Sequence, residues 1–146
     1  MSWTYIRRVK YYETDRMGVV HHSNYLRILE DARMDWMDNN IMRYGDIEKM
    51  GIIVPAVAAE EKFKGFLRFD DEFAVKLKLV EYTGVKMVFT YEIHNTANGQ
   101  LCYEAKTTHF FSEDGNQPGK TYKPMSIKRR FPELHEKMLS LLEKEQ

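Results

Sequence analysis

A single long amphipathic helix stands among strand-like runs in this sequence. From about Ser23 to Asn39, apolar side chains recur at helical spacing and form one stripe, and most charged side chains lie elsewhere. The stripe consists of Tyr25, Ile28, Leu29, Ala32 and Trp36. Apolar residues before and after the helix alternate with polar ones, as in half-buried strands. These runs are Trp3 to Tyr12, Ile52 to Phe63, Phe73 to Leu79, Val85 to Ile93 and Leu101 to Phe111. The order predicts an α+β fold in which an antiparallel sheet of about five strands wraps around one central helix.

Smaller elements complete the predicted architecture. Tyr44 to Gly51 indicates a short second helix stopped by glycine, and Pro55 indicates an edge strand or a bulge. We predict a polar loop over Ser112 to Pro124. We predict a C-terminal helix over Phe131 to Lys144, with proline at its first position. We therefore expect one domain over residues 1–146, with a core to about residue 112 and a loop and helix over 113–146.

Composition narrows the class of protein. Cys102 is the only cysteine, which rules out an internal disulfide and fits a reducing compartment. Lys plus Arg and Asp plus Glu are both 22, so nothing in the net charge favours nucleic acid. The charged N-terminus is followed by no apolar region of the signal-peptide kind, and no apolar run is long enough for a membrane span. A cytoplasmic protein is the expectation.

The segment from Tyr11 to Tyr25 carries the clearest chemical signal. A strand-like run ends near Asp15, a turn with Gly18 follows, and a short apolar step leads into the long helix. This order can place a carboxylate beside the backbone N–H groups of a helix start. A carboxylate can activate water or attack a carbonyl, and a helix N-terminus can hold the resulting oxyanion. The segment therefore predicts acyl transfer to water.

The same segment resembles the motif of the hot-dog-fold acyl-CoA thioesterases, in the 4-hydroxybenzoyl-CoA thioesterase-like branch. It is most similar to the small bacterial acyl-CoA thioesterases associated with the Tol-Pal system. The matching positions are Tyr11, Asp15, Gly18, Val19, Val20, His22, Asn24 and Tyr25. The resemblance implies the hot-dog fold and hydrolysis of an acyl-CoA substrate without metal or organic cofactor. It also implies a homodimer or homotetramer in which two subunits build each site.

Three residues are implied as catalytic by their places in this motif. Asp15 would act as general base toward water or as nucleophile, and the sequence leaves both routes open. The resemblance places His22 at the helix start, with its backbone N–H facing the thioester carbonyl; a capping role without chemistry is the alternative. Tyr11 would line the site, or simply be the last inward residue of its strand. Glu30 is the reserve acid, because other hot-dog branches carry their acid on this helix.

Four further residues are predicted to bind substrate: Gly18, Val20, Asn24 and Tyr25. Each also has a structural explanation, since glycine allows a positive φ in the turn, Ser23 or Asn24 can supply the N-cap of the helix, and Val20 and Tyr25 can pack in the core. The basic residues Lys120, Lys123, Lys128, Arg129 and Arg130 are candidates for holding the phosphates of CoA, or merely solvating charges. A non-hydrolytic acyl-CoA or acyl-carrier binder and a scaffold module remain alternative functions. The identity of the acyl group stays open.

Overall fold

The computed structural model describes residues 2–113 and 122–143. Its strands are β1 (Trp3–Arg8), β2 (Ile52–Ile53), β3 (Ala56–Phe63), β4 (Glu72–Tyr82), β5 (Lys86–Asn95), β6 (Leu101–Phe110) and β7 (Ser112–Glu113). Its helices are α1 (Tyr25–Asn40), α2 (Tyr44–Lys49) and α3 (Pro132–Leu141). Two short 3-10 turns, Tyr11–Glu13 and His22–Asn24, lie between β1 and α1.

Five strands form one antiparallel sheet in the order β1-β4-β5-β6-β3. Alternation sets its two faces, as in β4, where Val75 and Leu77 are buried while Lys76 and Lys78 are exposed. β2 and β7 form a separate two-stranded pair. The strand order leaves β1 and β3 at the two edges of the sheet.

Helix α1 packs on the inner face of this sheet. Its buried residues are Tyr25, Ile28, Leu29, Ala32, Trp36 and Met37, which is the apolar stripe of the sequence extended by one position. The ring of Trp36 meets that of Phe89 on β5 edge to face, with 5.2 Å between centroids. Leu134 and Met138 of α3 join the same core. The predicted architecture, one long helix against a five-stranded sheet with an extra C-terminal helix, is confirmed.

Edge strand β3 is the least covered element of the chain. All eight of its residues are exposed, including Val57 at 53% and Phe63 at 52%. Its pairing with β6 is irregular between Ala56 and Ala58, directly after Pro55, as expected for an edge strand with a bulge. An exposed strand edge offers unpaired N–H and C=O groups to another chain.

The first strand is shorter than predicted. β1 ends at Arg8, because Val9 donates its N–H to the Asp71 carbonyl and the chain then enters a 3-10 turn. Tyr11 lies in that turn and is 77% exposed. The reading of Tyr11 as the last inward residue of a strand was therefore wrong.

The start of the long helix also differs in detail. α1 begins at Tyr25 rather than Ser23, and neither the Ser23 nor the Asn24 side chain caps it. The Asn24 amide donates instead to the Glu13 carbonyl at 2.9 Å, which joins the helix start to the preceding turn. The predicted cap is thus replaced by a tertiary contact.

Part of the predicted C-terminal region lies outside the described residues. The loop predicted over Ser112 to Pro124 falls mostly within 114–121, which includes Lys120, and the predicted end of the last helix, Lys144, is also outside. Among the helices described, none combines the length and the apolar character that crossing a membrane requires.

Candidate active site

Asp15 lies in a tight turn that backbone hydrogen bonds close. Its N–H donates to the Val19 carbonyl and its carbonyl accepts from the Gly18 N–H, both at 2.9 Å. Gly18 has a φ of +79°, a conformation that other residues rarely adopt. The Asp15 Oδ1 accepts the Met17 N–H at 2.8 Å. Within residues 2–113 and 122–143, no protein group bonds the Oδ2 atom, so one carboxylate oxygen is fixed while the other can take a proton from a ligand.

An open groove of about 720 Å³ surrounds this carboxylate. Its lining residues are Tyr11, Tyr12, Thr14, Asp15, Arg16, Gly18 and Phe69. The ring of Tyr11 meets that of Phe69 edge to face, with 5.4 Å between centroids. The structure therefore brings three predicted site residues to one groove: Tyr11, Asp15 and Gly18. Phe69 is an aromatic wall that no pattern in the sequence had indicated.

His22 begins the 3-10 turn that leads into α1 and is exposed. Among the described residues, no backbone hydrogen bond starts at the His22 N–H, as expected for the first N–H groups of a helical segment. The neighbouring His21 holds the turn, since its Nδ1 accepts the Ser23 N–H at 3.2 Å. His21 and His22 rings lie 4.2 Å apart. Within the described part of the chain, the His22 N–H is thus a donor without a protein acceptor at the helix start, three residues after the Asp15 turn closes at Val19.

Glu13 joins the turn to the helix start. Its backbone carbonyl accepts the His21 N–H and the Asn24 side-chain amide, each at 2.9 Å. Its carboxylate is buried and accepts the Lys10 N–H at 2.7 Å. Arg7 donates to both carboxylate oxygens, at 2.7 and 2.8 Å. One buried residue therefore fixes both sides of the candidate site, and sequence reasoning had missed it.

Charge explains why this buried pair is stable. Burial by itself raises the pKa of Glu13. Hydrogen bonds from Arg7 and from the Lys10 N–H together lower the pKa by more than burial raises it, so the carboxyl is more acidic than an ordinary glutamate. Arg7 also donates to Asp31 on α1 at 3.2 Å and lies over the Phe73 ring at 5.1 Å. One feature of the sequence could have indicated this pair, because Arg7 is a charged residue at an inward position of β1. We call Arg7 with Glu13 the clamp.

Val20 and Tyr25 do not line the groove. They belong to the core that supports it. Both are buried, and the Val20 N–H donates to the Leu67 carbonyl at 2.8 Å. The Tyr25 ring stacks on Tyr103 at 4.6 Å and meets Phe63 edge to face at 5.5 Å. Burial raises the pKa of Tyr25 to about 12. Direct substrate contact by these two residues, and by Asn24, stays a prediction.

Other candidates lie away from the groove. The described basic residues Lys123, Lys128, Arg129 and Arg130 are exposed near the end of β4 that contacts the C-terminal segment. Asp15 lies near the start of β4, so the length of that strand, roughly 35 Å, separates the two within one chain. Cys102 is buried and packs in β6. Among the residues described, no three His, Cys, Asp or Glu side chains are grouped to hold a metal ion.

Comparison with known proteins identifies the family. Residues 9–141 match the model of the thioesterase-like superfamily, and the chain belongs to that superfamily. The chain is 32% identical over 127 residues to "Putative acyl-CoA thioesterase YneP" of Bacillus subtilis, covering 87% of this chain and 88% of the relative. It is 27% identical over 109 residues to the 1,4-dihydroxy-2-naphthoyl-CoA hydrolase of Synechocystis, covering 74% of this chain and 79% of that one.

A solved structure agrees. The crystal structure of the DHNA-CoA thioesterase of Staphylococcus aureus superposes with a TM-score of 0.86 at 30% sequence identity, covering 95% of this chain and 89% of that chain. The predicted hot-dog fold and the predicted thioester hydrolase activity are confirmed. The finer placement among the Tol-Pal-associated enzymes stays a prediction.

Proposed function

We propose that this chain hydrolyses acyl-CoA thioesters in the Asp15 groove, with Asp15 as base or nucleophile and the His22 N–H in the oxyanion hole. One observation carries the proposal: among the described residues the Asp15 Oδ2 atom and the His22 N–H have no protein partner, and both lie in one short segment that the Asp15 turn and the Glu13 contacts hold in place. Acyl-CoA is the substrate because the relatives above are named for it. The chain's own residues supply the whole mechanism without metal or organic cofactor.

The geometry supports two routes. In the first, Asp15 takes a proton from water while the water oxygen bonds the thioester carbon, the C–S bond breaks, and the CoA thiolate leaves and is protonated. In the second, the Asp15 oxygen bonds that carbon and expels the thiolate, and water then hydrolyses the mixed anhydride. Negative charge develops on the carbonyl oxygen in both routes. An N–H fixed at a helix start stabilises it without reorganisation.

Substitutions at His22 test whether the backbone or the imidazole acts. His22→Ala keeps the N–H, so the variant should retain measurable turnover. His22→Pro removes that N–H, and loss of one oxyanion donor costs about 10²–10³-fold in kcat. Steady-state kinetics with thiol detection measure both, and circular dichroism and melting check the proline variant, since proline also restrains the backbone. Equal, severe losses in two folded variants would give the imidazole the chemical role instead.

We further propose a homodimer formed through the edge of β3. That strand is exposed along its whole length and pairs only with β6 among the described strands. A second copy that pairs edge to edge would satisfy its free backbone groups and give the closed two-fold symmetry common in oligomers. The same contact would cover Val57 and bring the partner close to the flank of α1. Two such dimers would make the tetramer.

Light scattering should therefore give the mass of a dimer or a tetramer at micromolar concentration. Val57→Lys puts a charge on the β3 edge and should shift the protein toward monomer, because buried charges at an interface are costly. Ile6→Lys is the matched control, since Ile6 is a similarly exposed aliphatic residue, at 56%, on the opposite edge strand β1. An active monomer in the unsubstituted protein would defeat this proposal.

A further inference from the structure

A chain of buried polar side chains lies under α1, outside the Asp15 groove. Arg33 Nη1 donates to the Tyr91 hydroxyl at 3.1 Å, and that hydroxyl lies 2.5 Å from Thr107 Oγ1. Thr107 Oγ1 is in turn 2.9 Å from His109 Nε2. Tyr91, Thr107 and His109 are all buried. These polar side chains come from α1, β5 and β6. The thioester chemistry described above uses none of them.

The hydrogen bonds of this chain begin at Arg33, whose guanidinium can only donate. Burial, with the nearby charge of Arg33, lowers the pKa of His109 to about 4, against a hydrogen bond to the Val54 backbone that raises it. The imidazole is therefore neutral at pH 7, with one donor and one acceptor nitrogen. A neutral imidazole at this place can either accept from or donate to Thr107 Oγ1 through Nε2. Arg33 thus starts the chain and uses one N–H in it. A guanidinium has five N–H donors in all.

Arg33 also faces a cavity of about 80 Å³. The walls are formed by Glu30, Arg33, Met34, Met37, Tyr44, Val54, Phe89 and His109. In the described part of the chain no carboxylate lies within ion-pair distance of the Arg33 guanidinium. The space is large enough for a small polar group or several waters. A half-buried cation with spare donors in such a space favours a ligand that brings oxygen acceptors.

The cavity lies farther along α1 than the helix start. Leu26, Glu30 and Arg33 lie on successive turns of one flank of α1, and Leu26 is 40% exposed. Eleven residues separate His22 from Arg33, which corresponds to about 16 Å of helical rise. The inner face of the sheet beside this flank carries small side chains, since Ala59 pairs with Thr107 and Ala105 lies two residues before it.

The two ends of this flank of α1 differ in polarity. Near the helix start, Tyr25, Phe63 and Tyr103 form an aromatic cluster. At the far end, the Arg33 guanidinium and the His109 imidazole face the cavity. An extended apolar chain that lay along this flank of α1 and carried an oxygen at its end would meet the aromatic cluster first and the Arg33 cation last.

We propose that the Arg33 cavity is the far end of the acyl subsite and that it binds a hydroxyl or carboxylate at the end of a medium-length acyl chain. This inference rests on the proposed function, because it places the thioester carbon beside Asp15 and the His22 N–H. Arg33 would donate to the terminal oxygen of the substrate. Tyr91, Thr107 and His109 would hold the Arg33 side chain in position and make no contact with the reacting atoms.

Three thioesters of equal chain length test the proposal: decanoyl-CoA, 10-hydroxydecanoyl-CoA and the mono-CoA ester of decanedioic acid. A hydrogen bond to a charged group changes kcat/KM by about 10- to 100-fold, so at least one oxygenated chain should be preferred over decanoyl-CoA by that factor. The two oxygenated substrates separate hydroxyl from carboxylate recognition. Equal kcat/KM values for all three substrates in the unsubstituted protein would overturn the proposal.

Variants identify the residue responsible for the preference. Arg33→Met, which keeps the length of the side chain without its donors, should bring the ratio of kcat/KM values close to one. Thr107→Val should reduce the ratio in part, because it interrupts the chain that positions Arg33. Arg27→Met, an exposed arginine on the same helix with no hydrogen bond or ion pair to other described residues, is the matched control and should keep the ratio. A preference that survives in folded Arg33→Met would overturn the assignment.

Binding separates this proposal from the proposed function. Titration calorimetry of the three esters with the Asp15→Asn variant measures the same preference without turnover. If Asp15→Asn remains fully active, the catalytic role of Asp15 fails while the selectivity ratio can still be read from rates. If the oxygenated esters bind no tighter than decanoyl-CoA, the Arg33 subsite fails while the catalytic role can stand.

Discussion

The Asp15→Asn variant should fold normally and lose most of its turnover. Asparagine is nearly isosteric with aspartate, and its amide oxygen can still accept the Met17 N–H that fixes the turn. The substitution removes the charge and the proton acceptor that a hydrolytic step requires. General base catalysis alone contributes about 10²–10⁴-fold, and loss of a nucleophile would cost more. Steady-state assays with several acyl-CoA esters, and free thiol as readout, measure the loss.

Two further variants make that result specific. Asp38→Asn changes an exposed aspartate of α1 in the same way and should keep full activity. Glu30→Gln tests the reserve acid, which lies on α1 at the Arg33 cavity rather than in the Asp15 groove. A tenth of normal turnover is well above the residual activity expected after loss of a general base. If folded Asp15→Asn retained more than about this tenth, Asp15 would not be the catalytic carboxylate.

Local periodicity was sufficient for most of the fold. The alternation in β4 and β5 and the apolar stripe of α1 come from the repeat geometry of strands and helices, so they are visible in any sequence whose elements have one buried face. The same rule failed between Val9 and Glu13. The alternation continues through Val9, Lys10 and Tyr11, but the chain turns because Val9 bonds to the loop before β4 and the Glu13 carboxylate accepts the Lys10 N–H. Tertiary contacts overrode the local pattern.

The site could be predicted only where its parts are close in sequence. Asp15, Gly18 and His22 lie within one short segment, and a motif can record their spacing. The groove also needs Phe69, and the polar chain joins Arg33 on α1 to His109 on β6. Such pairings depend on strand register, which no spacing along the chain reveals. The clamp is nearer, with Arg7 six residues before Glu13, but a buried ion pair has no periodic signature.

Breaking the clamp should have the largest effect on stability. In Arg7→Met the Glu13 carboxylate, which is part of a side chain that is 4% exposed, stays buried, and the Lys10 N–H is its one remaining partner among the described residues. Removing one partner of a buried ion pair costs about 3–5 kcal/mol of unfolding free energy. The double variant Arg7→Met with Glu13→Gln should recover much of this loss, because no charge is then left buried. Urea unfolding measures each value. Arg8→Met is the control, since the exposed Arg8 side chain bonds only the Asp70 carbonyl among the described residues.

Acid unfolding distinguishes a role of the Glu13 charge from a role of its shape. The pKa of Glu13 is lowered in the folded protein from the ordinary 4.5, so the unfolded chain takes up this proton first as the pH falls. The stability that the clamp contributes is therefore complete above about pH 4.5 and is lost as the pH falls through the lower folded value. Glu13→Gln keeps the shape and lacks the charge, so its unfolding free energy should vary less with pH in that window.

Since the Glu13 carbonyl also holds the His21 N–H and the Asn24 amide, Arg7→Met should lower kcat even at temperatures where it is folded. Stability and kcat equal to those of Arg8→Met would show that the turn and the helix start hold their positions without the clamp.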